Sequence, residues 1–413
     1  LEKKDHLSQI AGIKSSQVEK LNKFGINTLE ELANTDQLEI NDLDKKIFSK
    51  LKSQAEIQSK SKKVGSLQFQ VMENVELGLG LSTLPPKSSL DAYFDIESNP
   101  LLTKIPLHYL WGVAHEDNNE GFDCWWAHSE NEMKLAFENF IDWTYKRWKK
   151  DKNMHVYHYG QFEITALKSL MGYFGSKEEE VDHLLRKGVF VDLFRVVKQS
   201  LFVGATGYGL KDIEPLFREK RDSDVVSGQD STVAYEVWSS SREETKDHTD
   251  SKELREIWIY NKDDCKSLIT LSDWLRSIQR KSNIEYFPQS DQQDIAEGVA
   301  EVSALDELLS KLPSKEKRPL AELLANLSLY HKREQKPSWW MYFDRLQSTD
   351  EELYSDLDCL SGLLTTGEVE NVKRSKSYTF TFDQRQETKI KISDKPRVKQ
   401  NPFINVTVDS MDS

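Results

Sequence analysis

Hydrophobic positions change their period along the chain, and each change predicts a different element. Over residues 1–63 the runs Leu7–Ile13, Leu21–Ile26 and Thr28–Ala33 predict short helices. Ser16 before Glu19 and Thr28 before Glu31 have capping-box spacing, with Gly12 and Gly25 in the turns. Residues 64–88, with Pro85-Pro86-Lys-Ser-Ser, read as a connector. Beyond it, Ala92–Glu97, Ile105–Val113 and Phe122–Ala127 predict three strands. A helix follows over Asn131–Trp148, with Leu135, Phe137, Phe140, Ile141 and Trp148 as its apolar positions, and His155–His158 predicts a fourth strand. Helices are expected at Phe162–Tyr173, Lys177–Arg186, Asp192–Gln199 and Leu210–Phe217. The polar stretch Arg218–Glu253 reads as a solvated loop or lid interrupted by a short helix at Thr232–Trp238, and Leu254–Leu275 resumes strong helical periodicity. These elements make a domain over 89–283. An acidic linker (284–303), a helical region (304–370, best patterned at Leu320–His331) and a β-rich segment (371–413) complete the chain. Period-two alternation in the last segment predicts strands at Ser377–Phe382, Lys389–Ile392 and Phe403–Val408. There is no internal repeat of solenoid period.

At 413 residues the chain is long enough for several cores. Its balance of 38% hydrophobic and 30% charged residues is that of a soluble globular protein. No apolar run approaches the roughly 18–20 residues a membrane span needs, so no membrane partner is expected. The net charge of −13 argues against wholesale coating of nucleic acid. Any such binding must be local, and the basic segments are Lys45–Lys63, Tyr145–Lys152 and Lys373–Lys376. Cys124, Cys265 and Cys359 are odd in number and far apart, which fits a reducing, cytoplasmic compartment rather than a disulfide framework or a zinc site. A first residue of Leu1 suggests an internal fragment or a processed product.

The sharpest chemistry lies in Phe94-Asp95-Ile96-Glu97. Residues i and i+2 share one face of a strand, so Asp95 and Glu97 project together. Their repulsion is relieved by a cation such as Mg²⁺ or Mn²⁺ between them. In Tyr260-Asn-Lys-Asp-Asp264 the helical i, i+4 spacing places the Tyr260 hydroxyl beside the Asp264 carboxylate, with Asp263 turned about 100° away. Glu163 follows the fourth strand at a helix start. Other signals carry less. Gly204–Lys211 lacks the ending of a phosphate loop, and no Walker A motif occurs, so ATP is not implied. His155 and His158 read as structural, Trp339–Phe343 as core, and Asp192 as a helix cap or orienting group.

The Gly12 and Gly25 turns resemble a helix-hairpin-helix module, whose glycine turn lets backbone N–H groups approach a nucleic-acid phosphate. Three strands, a helix and another strand give the opening order of a ribonuclease-H-like α/β fold: a mixed sheet flanked by helices. Asp-x-Glu on the first strand, an acid after the fourth and Tyr-x-x-x-Asp on the last helix resemble the tyrosine-containing subgroup of the DEDD exonucleases. That resemblance implies Asp95, Glu97, Glu163 and Asp264 as ligands of two divalent cations, Mg²⁺ or Mn²⁺, and Tyr260 as the residue that orients the attacking water. Together with Pro100, Val156–His158, Val191–Leu193, Gly209–Lys211 and Ser231–Trp238, these motifs are similar to the corresponding domain of bacterial RecB-like nuclease/helicase fusions. The similarity covers roughly residues 90–280, and more loosely the N-terminal helices and Tyr330–Trp340. It implies an upstream RecB-type nuclease, a downstream helicase, and a 3′ to 5′ exonuclease on single-stranded DNA or RNA. Lys211 is a further phosphate-contact candidate. Two positions depart from the pattern: Glu163 stands where aspartate is usual, and Ser98 where glycine is. The alternatives are a catalytically weak nucleic-acid-binding scaffold for neighbouring nuclease and helicase domains, and an endonuclease on the same fold.

Overall fold

The computed structural model describes residues 5–288, 323, 327 and 330–411, apart from positions 41–42, 74, 76, 103–104, 118–120, 220–227, 242–244, 374, 385 and 400–403. The chain divides into two compact units, Leu1–Asp291 and Gln292–Ser413.

The first unit is organised around β2 (Ala92–Asn99), β3 (Leu107–His115), β4 (Phe122–Trp126), β5 (Val156–His158) and β6 (Phe190–Asp192), in the spatial order β4-β3-β2-β5-β6. Short connections leave β2, β3 and β4 antiparallel, whereas β5 and β6 are reached through helices and run parallel to β2. The central strands are covered on both faces, so β3 is buried at every position. Alternation along β2 sorts its side chains. Phe94 stacks on Phe140 of α4 (Glu130–Lys150), with ring centroids 4.0 Å apart. Tyr93 joins the opposite cluster, which includes Leu268, Leu271 and Leu275 of α10 (Lys252–Lys281). Asp95 and Glu97 share the Tyr93 face, so the period-two pattern carries both acids towards α10.

Between β5 and α10 lie α5 (Phe162–Phe174), α6 (Glu178–Arg186), α7 (Leu193–Lys198), the short α8 (Leu210–Ile213) and α9 (Gly228–Ser240). A 3₁₀ turn at Glu214–Leu216, with Pro215 in its first turn, ends the helix expected over Leu210–Phe217 early. β6 and β7 (Leu201–Val203) were not expected as strands: Asp192 reads as the start of a helix to Gln199, and Leu201–Val203 is a short apolar run without alternation. The segment Arg218–Glu253 departs from a solvated loop: Ser231 and Tyr235 of α9 are buried, and α9 packs on β2 and α10.

N-terminal to the sheet, α1 (Ser15–Lys23), α2 (Leu29–Asn34) and α3 (Lys45–Val64) enclose a core of Leu7, Leu21, Leu29, Leu32, Phe48 and Leu51. The Thr28–Glu31 capping box forms. The Ser16–Glu19 one does not. The helix cap lies two residues earlier, at Lys14, and Gln17 Oε1 takes the Lys14 N–H at 2.9 Å. Within the segment read as a connector, β1 (Phe69–Val71) pairs antiparallel with β7.

In the second unit, α11 (Tyr330–Leu346) and α12 (Asp350–Tyr354) precede an antiparallel hairpin of β8 (Leu364–Val372) and β9 (Ser375–Thr381). Trp340, Tyr342 and Phe343 are buried, consistent with the core reading of that aromatic run. Among the described residues, only the first of the three expected C-terminal strands joins a ladder. Lys389 N–H donates to the Leu357 carbonyl, Ser393 N–H to the Val408 carbonyl and Val408 N–H to the Asp394 carbonyl, so among the described residues the later alternating segments make single bonds rather than a ladder. The linker from residue 289, and most of the helical pattern before 330, lie outside the described residues. Among the described residues, no helix is long and apolar enough to cross a membrane.

Candidate metal centre

Two elements far apart in sequence build the centre. Asp95 and Glu97 come from the middle strand β2, and Asp264 from α10, which crosses it. One carboxylate oxygen from each lies within 4.8 Å of the others. Helical periodicity explains how α10 supplies its part: Ile257, Tyr260, Asn261, Asp264, Cys265 and Leu268 follow i, i+3, i+4 spacing and form its buried face. Asp263, one step round the helix, instead pairs with Arg218 at 2.9 Å.

The electrostatics are those of concentrated negative charge. Burial, then the charges of Glu97, Asp264 and Glu163, push the Asp95 carboxyl well above its ordinary range. Glu97 rises to about 7, mainly through burial, with Ser231 opposing and Asp264 adding to the shift. Hard oxygen donors gathered this closely suit a divalent cation, which would relieve the repulsion that raises both carboxyls.

Glu163, at the start of α5, is buried but stands outside the three-acid cluster. Its Oε2 has no hydrogen-bond partner and faces His158 Nδ1 at 3.7 Å. Burial alone would lower the His158 pKa; the nearness of Glu163 and Asp192 raises it instead. His158 Nδ1 lies 2.7 Å from the Gly160 carbonyl, a satisfied contact in keeping with the structural reading, with Glu163 as its acidic neighbour. Glu163 does act on the cluster, since its charge is one of the causes of the Asp95 shift.

Tyr260 sits beside Asp264 and is held from the other side by Lys211, whose Nζ donates to Tyr260 Oη at 2.8 Å and lies 4.1 Å from the ring centroid. Burial and the charge of Asp264 push the phenol pKa up, so it stays protonated. Lys211, at the second position of α8, is thus brought to the rim of the acid cluster. Gly12 and Gly25 lie in turns of the N-terminal helices with φ of +80° and +81°. Asp192 caps α7, accepting from Phe194 N–H at 2.9 Å and from Gly160 N–H at 2.8 Å. The glycine-rich run before Lys211 packs rather than binds: a Cβ on Gly204 would stand 1.7 Å from Ser61 Oγ.

Three supporting residues escaped the sequence reading. Asn261, fully buried, donates through Nδ2 to Asp95 Oδ2 at 2.8 Å and fills the space left by Gly112, where a Cβ would lie 1.7 Å from its Oδ1. Gly112 is the register partner of Asp95 on β3, so the missing side chain is opposite the acid that Asn261 holds. Ser231 donates to Glu97 Oε2 at 2.7 Å, and Tyr109 Oη stands 2.8 Å from Ser231 Oγ. Asn261 and Ser231 lie inside stretches whose resemblance was noted, but nothing in the sequence assigned them a contact.

Residues 92–276 match the family model of the RNase_H superfamily. A search of curated proteins and one of solved structures found no match to the chain. With its mixed five-stranded sheet and flanking helices, the first unit contains a ribonuclease-H-like α/β fold of the nuclease class, and its acidic cluster fits metal binding.

Proposed function

We propose that this domain hydrolyses phosphodiester bonds of single-stranded nucleic acid, working as a 3′ to 5′ exonuclease with two divalent cations. The observation that carries the proposal is the convergence of Asp95, Glu97 and Asp264 beside Tyr260. Asp95, Glu97 and Asp264, with Glu163 as the fourth, would hold the divalent cations, which when bound would supply Lewis-acid stabilisation of charge on the scissile phosphate and the leaving 3′ oxygen. The chain's own groups then have distinct tasks. Tyr260 Oη accepts from Lys211 and directs its proton to Asp264, which leaves one lone pair to take an O–H of the attacking water and fix its direction. Lys211 sets a positive charge at the rim of an otherwise acidic cleft, where a phosphate enters. The turns at Gly12 and Gly25 are proposed to hold backbone phosphates further along the strand, in the manner of a helix-hairpin-helix module. The similarity to RecB-like nuclease/helicase fusions supports a place for the domain in a longer nucleic-acid-processing protein.

One observation favours a second reading. Glu163 lies outside the three-acid cluster, as expected of a binding scaffold with weakened catalysis. Degradation of 5′-labelled single-stranded DNA and RNA with Mn²⁺ or Mg²⁺ separates the two. A ladder of shortened products that disappears with EDTA and in Asp95→Ala supports the exonuclease. Strands that are bound but left intact with either metal overturn it in favour of the scaffold, and cleavage of a circular single strand would make the enzyme an endonuclease.

A further inference from the structure

Helix α9 attaches to three consecutive residues of β2. Ser231 Oγ donates to Glu97 Oε2 at 2.7 Å, Thr232 Oγ1 donates to the Ser98 carbonyl at 3.3 Å, and Asn99 Nδ2 donates to Glu236 Oε1 at 3.0 Å. These contacts fall where the β2–β3 ladder shifts register, between Glu97 and Ser98, so β3 alone does not set the strand there. Ser231 and Tyr235 lie one helical turn apart on the buried face of α9. The Tyr235 ring stacks on Tyr109 with centroids 3.9 Å apart and planes 9° off parallel, and its hydroxyl is 2.9 Å from His128 Nδ1. A hydroxyl has one proton. With the Ser231 proton on Glu97, the 2.8 Å contact between Tyr109 and Ser231 has Tyr109 as donor, giving a one-way chain from Tyr109 through Ser231 to Glu97.

We infer that Ser231, backed by Tyr109, is a positioning residue for Glu97: it holds one carboxylate oxygen and so sets the orientation in which the other is offered to a divalent cation. The polar segment carrying α9 is then a part of the site rather than a cover over it. The inference rests on the metal-dependent reading proposed above.

Mn²⁺ binding by isothermal titration to the full 413-residue chain provides the readout, with folding checked by circular dichroism. Removing a hydrogen-bond partner of a metal ligand typically weakens metal affinity by roughly 10- to 100-fold, and about a tenfold loss is expected for Ser231→Ala. Ser231→Thr, which keeps the hydroxyl, should recover most of the affinity. Tyr109→Phe keeps the stacked ring and removes only the donor, so it carries the test should Ser231→Ala fold poorly, and a smaller loss is expected. Because Tyr109 acts through Ser231, the double variant should bind no more weakly than Ser231→Ala alone. In nuclease assays the loss should appear in the Mn²⁺ concentration needed for half-maximal rate, with the rate at saturating Mn²⁺ largely restored. Unchanged Mn²⁺ affinity in folded Ser231→Ala overturns the inference alone, and so does an additive loss in the double variant. Wild-type protein that binds no Mn²⁺ overturns the metal-site reading and this inference together.

Discussion

Glu97 ties the centre to pH. Its carboxyl rises from 4.5 to about 7, chiefly because it is buried, so between those values the folded chain keeps a proton that the unfolded chain has released. Metal-free stability therefore falls as pH rises through this window, and a shift of that size corresponds to about 3 kcal/mol. Other groups act in the opposite direction: burial lowers both His108 and His155 to about 4, which adds stability as pH rises towards 6.5. Comparison with Glu97→Gln removes this contribution together with the part of the Asp95 shift that the Glu97 charge causes. In EDTA, the variant should gain stability relative to wild type as pH is raised from 5 to 7.5, measured by urea unfolding. A difference that stays flat across that range would show that Glu97 titrates normally. Adding Mn²⁺ at pH 7.5 should stabilise wild type and do less for the variant, since only the wild type has the full charge to hold the ion.

Among the elements, the junction of β3 with α10 controls how closely the two halves of the centre approach. Gly112 and Asn261 fit because one lacks a Cβ where the other places its amide. Gly112→Ala would bring a methyl group against Asn261 Oδ1, and to 2.9 Å from Phe122 Cζ, in a region with no free space. The expected cost is about 1–3 kcal/mol by chemical denaturation, with loss of nuclease rate as Asn261 leaves Asp95. Combining it with Asn261→Ala should cost less than the sum of the two single changes, because the second removes what the first strikes. Additive losses would mean that the clash is relieved elsewhere.

For the molecule as a whole, the N-terminal helices and the sheet domain fall in one compact unit. Gln54 of α3 donates to the Val203 carbonyl at 2.7 Å and accepts from Tyr208 Oη at 2.7 Å, three residues before Lys211. Nearby, Gly204 donates to the Gln68 carbonyl and lies against Ser61, whose hydroxyl accepts from Gln68 N–H at 3.0 Å. Gly204→Ala should therefore loosen the attachment of α3 to β7, and protease cleavage between residues 45 and 75 should become faster than in wild type. Pairing it with Ser61→Gly, which removes the obstructing hydroxyl and its Cβ, should slow that cleavage again. Cleavage at the wild-type rate in Gly204→Ala would show that α3 is held by other contacts.

The strand and helix periods by themselves determined the main elements and which acids could share a face. Period two put Asp95 and Glu97 on one side of β2, and a period of 3.6 put Tyr260 and Asp264 on one side of α10, because both relations are local to a single element. They did not determine what meets those faces. Ser231 is 134 positions from Glu97, and Asn261 is 166 from Asp95. Such contacts depend on how helices seat on the sheet, for which neither segment carries a local signal. The three-residue strands β6 and β7 were equally unreadable, since pairing partners define them rather than a repeat of their own. Glu163 shows the same division: its position after β5 followed from the sequence, while its partnership with His158 and its place outside the three-acid cluster were decided only by packing.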